Sequence, residues 1–157
     1  MARLLWLLRH GEAEPHDARP DAERRLTPRG ERQSRDAGAA LARLGVELAA
    51  AYASPRVRAL DTARLACESL GCEPEVVDTL SGGWDADGAR ELLARHDDGE
   101  AILVVGHEPD LSQAVLDLAG GRIDLKKGGA AAVRVEGHGA ELFALLRPKE
   151  TEALSAP

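Results

Sequence analysis

The sequence predicts a single three-layer α/β/α domain: an open, mostly parallel sheet with helices on both faces and antiparallel strands at an edge. Three observations carry that expectation. Apolar runs of strand length alternate along the chain with segments of helical period, the pattern of repeated strand–helix units. The two clearest runs, Leu4–Leu8 and Ala101–Val105, are apolar without alternation, as strands buried on both faces are. The chain then closes on two strand-like runs around Gly137-His138-Gly139, a hairpin signal.

Composition sets the limits. The 157 residues, 44% apolar and 30% charged, make one domain's worth of chain. A chain of this size buries roughly 70% of the surface it exposes when unfolded, so an ordinary core suffices without staples. Cys67 and Cys72 are too few for a disulfide framework and lack the partners of a structural zinc site, so they read as reduced, structural or incidental thiols. The 20 Lys and Arg against 27 Asp and Glu give a net charge of -7, which leaves no basic footprint for nucleic acid. Any phosphate site must therefore be a local concentration of positive charge on an acidic body. The apolar run at the N-terminus is too short for a signal-peptide core or a membrane span. The expected setting is cytoplasmic, with no membrane partner.

The elements follow in order. Leu4 to Leu8 is the first strand, and the polar, Gly- and Pro-containing stretch from Gly11 to Arg25 is loop. Thr27-Pro28 starts a helix, because a threonine oxygen can cap free N–H groups and proline lacks only an N–H that would be unpaired there. Ala37, Ala40, Leu41 and Leu44 give that helix an apolar stripe, and Gly45 ends it. Val46 to Ala53 is the next strand, and a helix runs from about Arg56 to Leu70 with Leu60, Ala63, Leu65 and Ala66 toward the core. Pro74 to Val77 is a short strand, Ser81 to Gly88 a loop, and Ala89 to Arg95 a helix. Ala101 to Val105 is a strand, and Pro109 opens a helix bearing Leu111, Val115, Leu116 and Leu118. Ala130 to Val135 and Glu141 to Leu146 close residues 1–147 as one domain. Residues 148–157 form a C-terminal tail with little to bury, expected to fray.

In sheets of this kind, ligands bind where loops leave the carboxyl ends of the strands. Here those ends read Arg9-His10-Gly11, Ser54-Pro55-Arg56-Val57-Arg58 and Gly106-His107-Glu108-Pro109. If the strands are parallel neighbours, His10, His107 and the arginines converge on one crevice. Arginine offers a planar fork of donors that matches phosphate oxygens and stays charged at any working pH. At an effective dielectric near 20, a unit charge about 4 Å from a phosphoryl charge contributes roughly 4 kcal/mol before desolvation is subtracted. Two arginines and a protonated histidine would hold a dianion, and the other histidine, neutral and held at one nitrogen by a backbone carbonyl, would offer its second lone pair for in-line attack. Gly11 would let backbone approach the phosphate. No metal is called for, since H-E-x-x-H and zinc-site spacings are absent from the sequence.

Arg9-His10-Gly11 (an R-H-G motif), Ser54-Pro55-x-x-Arg58-Ala59-x-x-Thr62-Ala63 and Gly106-His107-x-Pro109 together resemble the histidine phosphatase, or phosphoglycerate mutase-like, superfamily. The short chain and the Arg25-Leu26-Thr27-Pro28-x-Gly30 segment look most like its SixA-type phosphohistidine phosphatase branch, and the likeness runs from Arg3 to about Leu146. The resemblance implies that His10 accepts the phosphoryl group and that Arg9, Arg58 and His107 bind its oxygens. It also implies a substrate-binding place for Arg25 at the pocket mouth, and no cofactor. Arg56 falls at a variable position. The acidic residue that protonates the leaving group in larger relatives is missing with the insertion that carries it. Glu12, Glu108 and Asp85 are the candidates, and a phosphoramidate, once protonated on nitrogen, needs no dedicated acid.

Blander readings stand beside these. Arg9 and Arg58 could be surface ion-pair partners, and His16, His96 and His138 read as solvated. Lys126-Lys127 is a solvated pair or an extension of a positive rim, and Trp6 and Trp84 are packing residues. The expected partner is a phosphorylated substrate, with a phosphohistidine protein leading because the short chain leaves the pocket open. A small-molecule phosphate ester at the same site is the alternative, ahead of mutase activity or a catalytically silent module that binds phosphorylated partners.

Overall fold

Residues 2–157 are described by a computed structural model. Its elements are β1 (Arg3–Arg9), α1 (Pro28–Arg43), β2 (Leu48–Ala53), α2 (Val57–Leu70), β3 (Pro74–Val76), α3 (Ala86–Leu93), β4 (Ala101–Gly106), α4 (Asp110–Ala119), β5 (Ala130–Glu136), β6 (Gly139–Leu146) and α5 (Pro148–Ser155). One six-stranded sheet takes the order β3-β2-β4-β1-β5-β6. β1 and β2 flank β4 in parallel, β3 runs parallel to β2, and β5 is antiparallel to both β1 and β6. The expected parallel sheet with an antiparallel hairpin is the observed one.

Strand side chains alternate between faces, so β1 and β4 feed two cores. Leu5, Leu7, Ile102 and Val104 pack with Leu92 and Leu93 of α3 and Leu111 and Val115 of α4. Trp6, Leu8, Leu103 and Val105 pack with Ala37 and Leu41 of α1 and Ala59, Ala63 and Ala66 of α2. The helices give this second core mostly alanines because they touch main chain to main chain: a Cβ on Gly38 would lie 2.1 Å from the Ala66 carbonyl oxygen. Register then places the site. Arg9 pairs with Gly106 and Ala53 with Val105, so His10, Ser54 and His107 leave adjacent strands at one level.

Two expectations need correcting. Helix α3 starts at Ala86 rather than Ala89, because the Asp85 side chain caps it, accepting from the Gly88 N–H at 3.0 Å. The tail is not frayed: Pro148 to Ser155 form α5, which packs on α1. The Arg147 guanidinium pairs with Glu150 at 2.9 Å, Thr151 is fully buried, and the Ser155 hydroxyl donates to Asp36 at 3.1 Å. A tail judged by its apolar content misses this, since the deepest group is a hydroxyl whose hydrogen bond is supplied locally by the Pro148 carbonyl.

Candidate active site

His10 sits one residue past β1, buried, with its Nδ1 2.8 Å from the Gly11 carbonyl oxygen. A carbonyl only accepts, so in the neutral ring Nδ1 carries the hydrogen and Nε2 keeps its lone pair. Burial pushes the ring's pKa from 6.5 down to about 4. The Gly11 bond pulls the other way, while the charges of Arg58, Arg9 and Lys127 add to the depression.

Gly11 has a packing role as well. Its N–H donates to Thr62 Oγ1 at 3.1 Å, and a Cβ there would stand 2.5 Å from the Gly30 carbonyl of α1. A Cβ on Gly30 would in turn stand 1.9 Å from the Glu12 carbonyl. Glycine is required here so that the loop can lie against the first turn of α1. Thr62 ties the seam further: its hydroxyl donates to the Arg58 carbonyl at 2.7 Å, and it accepts from Ser34, itself fully buried.

His107 follows β4, its ring centroid 5.2 Å from that of His10. Its Nε2 is 2.8 Å from Ser54 Oγ at the end of β2, while its Nδ1 is buried with no partner among the described residues. Burial is the main cause of a pKa lowered to about 3, and the His10, Arg58 and Arg56 charges reinforce it against a weaker upward pull from Asp21. The free site thus holds both imidazoles neutral.

Arg58 lies in the first turn of α2, almost wholly buried. It donates to the Asp21 main-chain carbonyl at 2.7 Å and to its carboxylate at 3.2 Å. Asp21 also accepts from Arg56 at 2.7 Å and, through its other oxygen, from Arg24. Its own desolvation works against ionisation, yet these guanidinium groups hold it down at about 2. Arg9 donates through Nη1 to the Leu125 carbonyl at 3.0 Å. Among the described residues, the Nε atoms of Arg9 and Arg58 are buried without a partner, as is His107 Nδ1. Buried donors of this kind normally find acceptors, and a tetrahedral oxyanion carries enough oxygens to supply all three.

The structure therefore brings Arg9, His10, Arg58 and His107 together. It does not bring Arg25, which is exposed and lines a separate cavity with Asp61 and Arg64 of α2. Its neighbour Arg24 is the buried one, donating to Asp21 and to the Glu14 carbonyl at 2.7 Å. Of the three candidate acids, Asp85 caps α3, and Glu108 accepts from the N–H and hydroxyl of Ser112 in α4. Glu12 accepts from Thr27 at 3.2 Å and lines a cavity with Arg9. His96 is not solvated as expected: Nε2 lies 2.7 Å from the Tyr52 hydroxyl. Asp21 had no signal in the sequence beyond the general need of buried arginines for a carboxylate. Among the described residues no group of three or more His, Cys, Asp or Glu is placed to hold a metal ion, and no helix is long and apolar enough to cross a membrane.

A parallel α/β sheet with arginines and histidines gathered at its strand ends has the layout of the phosphoglycerate mutase-like fold. The chain belongs to the histidine phosphatase superfamily, whose branch 1 it matches over residues 5–82. The structure of the protein histidine phosphatase SixA complexed with tungstate is similar at a TM-score of 0.84 and 25% identity, over 93% of this chain and 97% of that one. A SixA-assigned phosphohistidine phosphatase structure from Nakamurella multipartitia has a TM-score of 0.73 at 26% identity, over 94% and 97% of the two chains. An uncharacterized protein from Picosynechococcus is 33% identical over 160 residues, 92% of this chain and 96% of its own.

Proposed function

We propose that the protein is a metal-independent phosphatase that works through a phosphohistidine intermediate on His10, with phosphohistidine on a protein as its substrate. The observation that carries this is the Gly11 carbonyl on His10 Nδ1, which fixes the ring so that Nε2 is the free nucleophilic nitrogen. With a pKa near 4, that nitrogen is unprotonated at neutral pH.

Arg9 and Arg58 hold the phosphoryl oxygens, and His107 joins them as a donor. An arriving dianion reverses the sign of the local field, which raises the His107 pKa and draws a proton onto it. His10 Nε2 then bonds to phosphorus as the bond from phosphorus to the substrate nitrogen breaks, and the leaving imidazole takes up a proton from solvent. Water next attacks the phosphorus, the P–Nε2 bond breaks, and inorganic phosphate leaves as the water's proton passes to solvent. Charge spreads over the equatorial oxygens in both steps, so fixed guanidinium groups supply most of the stabilisation. Likeness to SixA-type proteins supports a protein-borne substrate.

The test is phosphate release from a phosphohistidine-carrying protein in excess EDTA, wild type against His10→Ala. Release by the wild type alone is the expected result. Wild-type release from small phosphate esters but not from phosphohistidine would transfer the same site to a small-molecule substrate.

A further inference from the structure

A cavity of about 570 Å³ opens beside Arg9 on an otherwise acidic molecule. Six cations line it, Arg9, Arg29, Lys126, Lys127, Arg147 and Lys149, against the carboxylate of Glu12. They come from four places in the chain: the end of β1, the start of α1, the segment before β5, and the entry to α5. Two of them are neutralised locally, Lys126 by Asp124 at 2.7 Å and Arg147 by Glu150 at 2.9 Å. Arg29, Lys127 and Lys149 make no hydrogen bond or ion pair among the described residues, and Arg9 donates only to a neutral carbonyl. Lys127 stands close enough to His10 for its charge to act on that ring.

The cavity does not stop there. A second one, of about 320 Å³, shares Arg29, Gln33, Pro148 and Lys149 with it and continues between α1 and α5 toward Asp36 and Glu152. The result is a groove that starts at the phosphoryl site, is strongly positive for its first part, and becomes mixed in charge farther along. One small anion would leave most of it empty. An extended chain would follow it, and like-signed cations near the reacting centre select for negative neighbours.

We propose that this groove takes the flank of a phosphorylated polypeptide that carries acidic residues next to the phosphorylated side chain, with Arg29, Lys127 and Lys149 as its specificity determinants. The proposal rests on the phosphatase reading for its substrate, so it is tested in two arms. The first measures, by fluorescence anisotropy on the full-length protein, binding of an unphosphorylated Asp/Glu-rich peptide and its Asn/Gln counterpart. The second compares kcat/KM for phosphohistidine peptides with Asp or Asn flanks. The wild type should bind the acidic peptide and favour acidic flanks by about tenfold. Added salt should erase both effects, and so should the double variant Arg29→Glu, Lys149→Glu.

Salt provides the test in the unmodified protein, so a poorly folded variant does not leave the question open. Equal kcat/KM for both flanks would overturn the groove and leave the phosphatase reading standing. Acidic-peptide binding that the variant and salt abolish, with neither phosphopeptide hydrolysed, would uphold the groove and remove the reading. Inorganic pyrophosphate bound in preference to the acidic peptide would overturn the proposal in favour of a small polyanion.

Discussion

The ends of β1 and β4 look alike but hold their histidines differently. Each finishes a parallel strand on a buried histidine beside a glycine, and each imidazole is kept neutral by burial and nearby cations. They differ in which nitrogen the protein holds. At His10 the fixed atom is Nδ1, held by a main-chain carbonyl, so the ring cannot turn without moving the loop. At His107 the fixed atom is Nε2, held by the Ser54 hydroxyl, which can rotate to donate or accept. On the proposed reading, the first ring is the nucleophile, with its Nε2 lone pair kept free. The other can change its protonation as charge arrives.

Breaking the β1 half should have the largest effect. His10→Ala should lower kcat by about ten-thousandfold or more and abolish an acid-labile, alkali-stable phosphoenzyme trapped by rapid quench. His107→Ala removes a donor rather than the nucleophile, so a loss of about a hundredfold in kcat is expected, with the phosphoenzyme still detectable. A greater loss in this variant than in His10→Ala would invert the assignment. Ser54→Ala should cost only about tenfold and should move the pH dependence of kcat, because His107 Nε2 loses its polar partner. An unchanged profile would make Ser54 a packing residue.

Acid stability sharpens the comparison last. Both folded-state pKa values lie below the unfolded value near 6.5. As pH falls below 6.5 the unfolded chain gains protons that the folded one refuses, so stability is full above 6.5 and declines down to about 4 for His10 and about 3 for His107. His10 contributes about 3 kcal/mol to that decline and His107 about 5 kcal/mol. His10→Gln should make the urea-unfolding free energy shallower against pH by about one proton in that window.

Much of this was legible in the sequence because strand ends are legible. Unbroken apolar runs stopping at Arg9-His10 and Gly106-His107 fix where the histidines emerge, and parallel pairing then brings them together. Ser54 and Thr62 stood in a recognisable motif without a visible task, since a hydroxyl's partner depends on what packs across from it. Asp21, Arg24 and the docking of α5 were not legible. Asp21, at the start of a short 3-10 turn, comes to Arg58 across 37 positions of chain that include α1 and β2, and no local period encodes such an approach. Arg25 and Arg24 are adjacent, and only the turn of the backbone decides which is buried.

The contact between Gly11 and Gly30 has a thermal consequence. Side chains exchange rotamers as temperature rises, and anything they position drifts with them. The His10 loop is instead seated by one main chain lying on another, with the stiff first turn of a 16-residue helix beneath it. The aim of His10 should therefore blur little on warming and fail only when α1 itself comes away from the sheet.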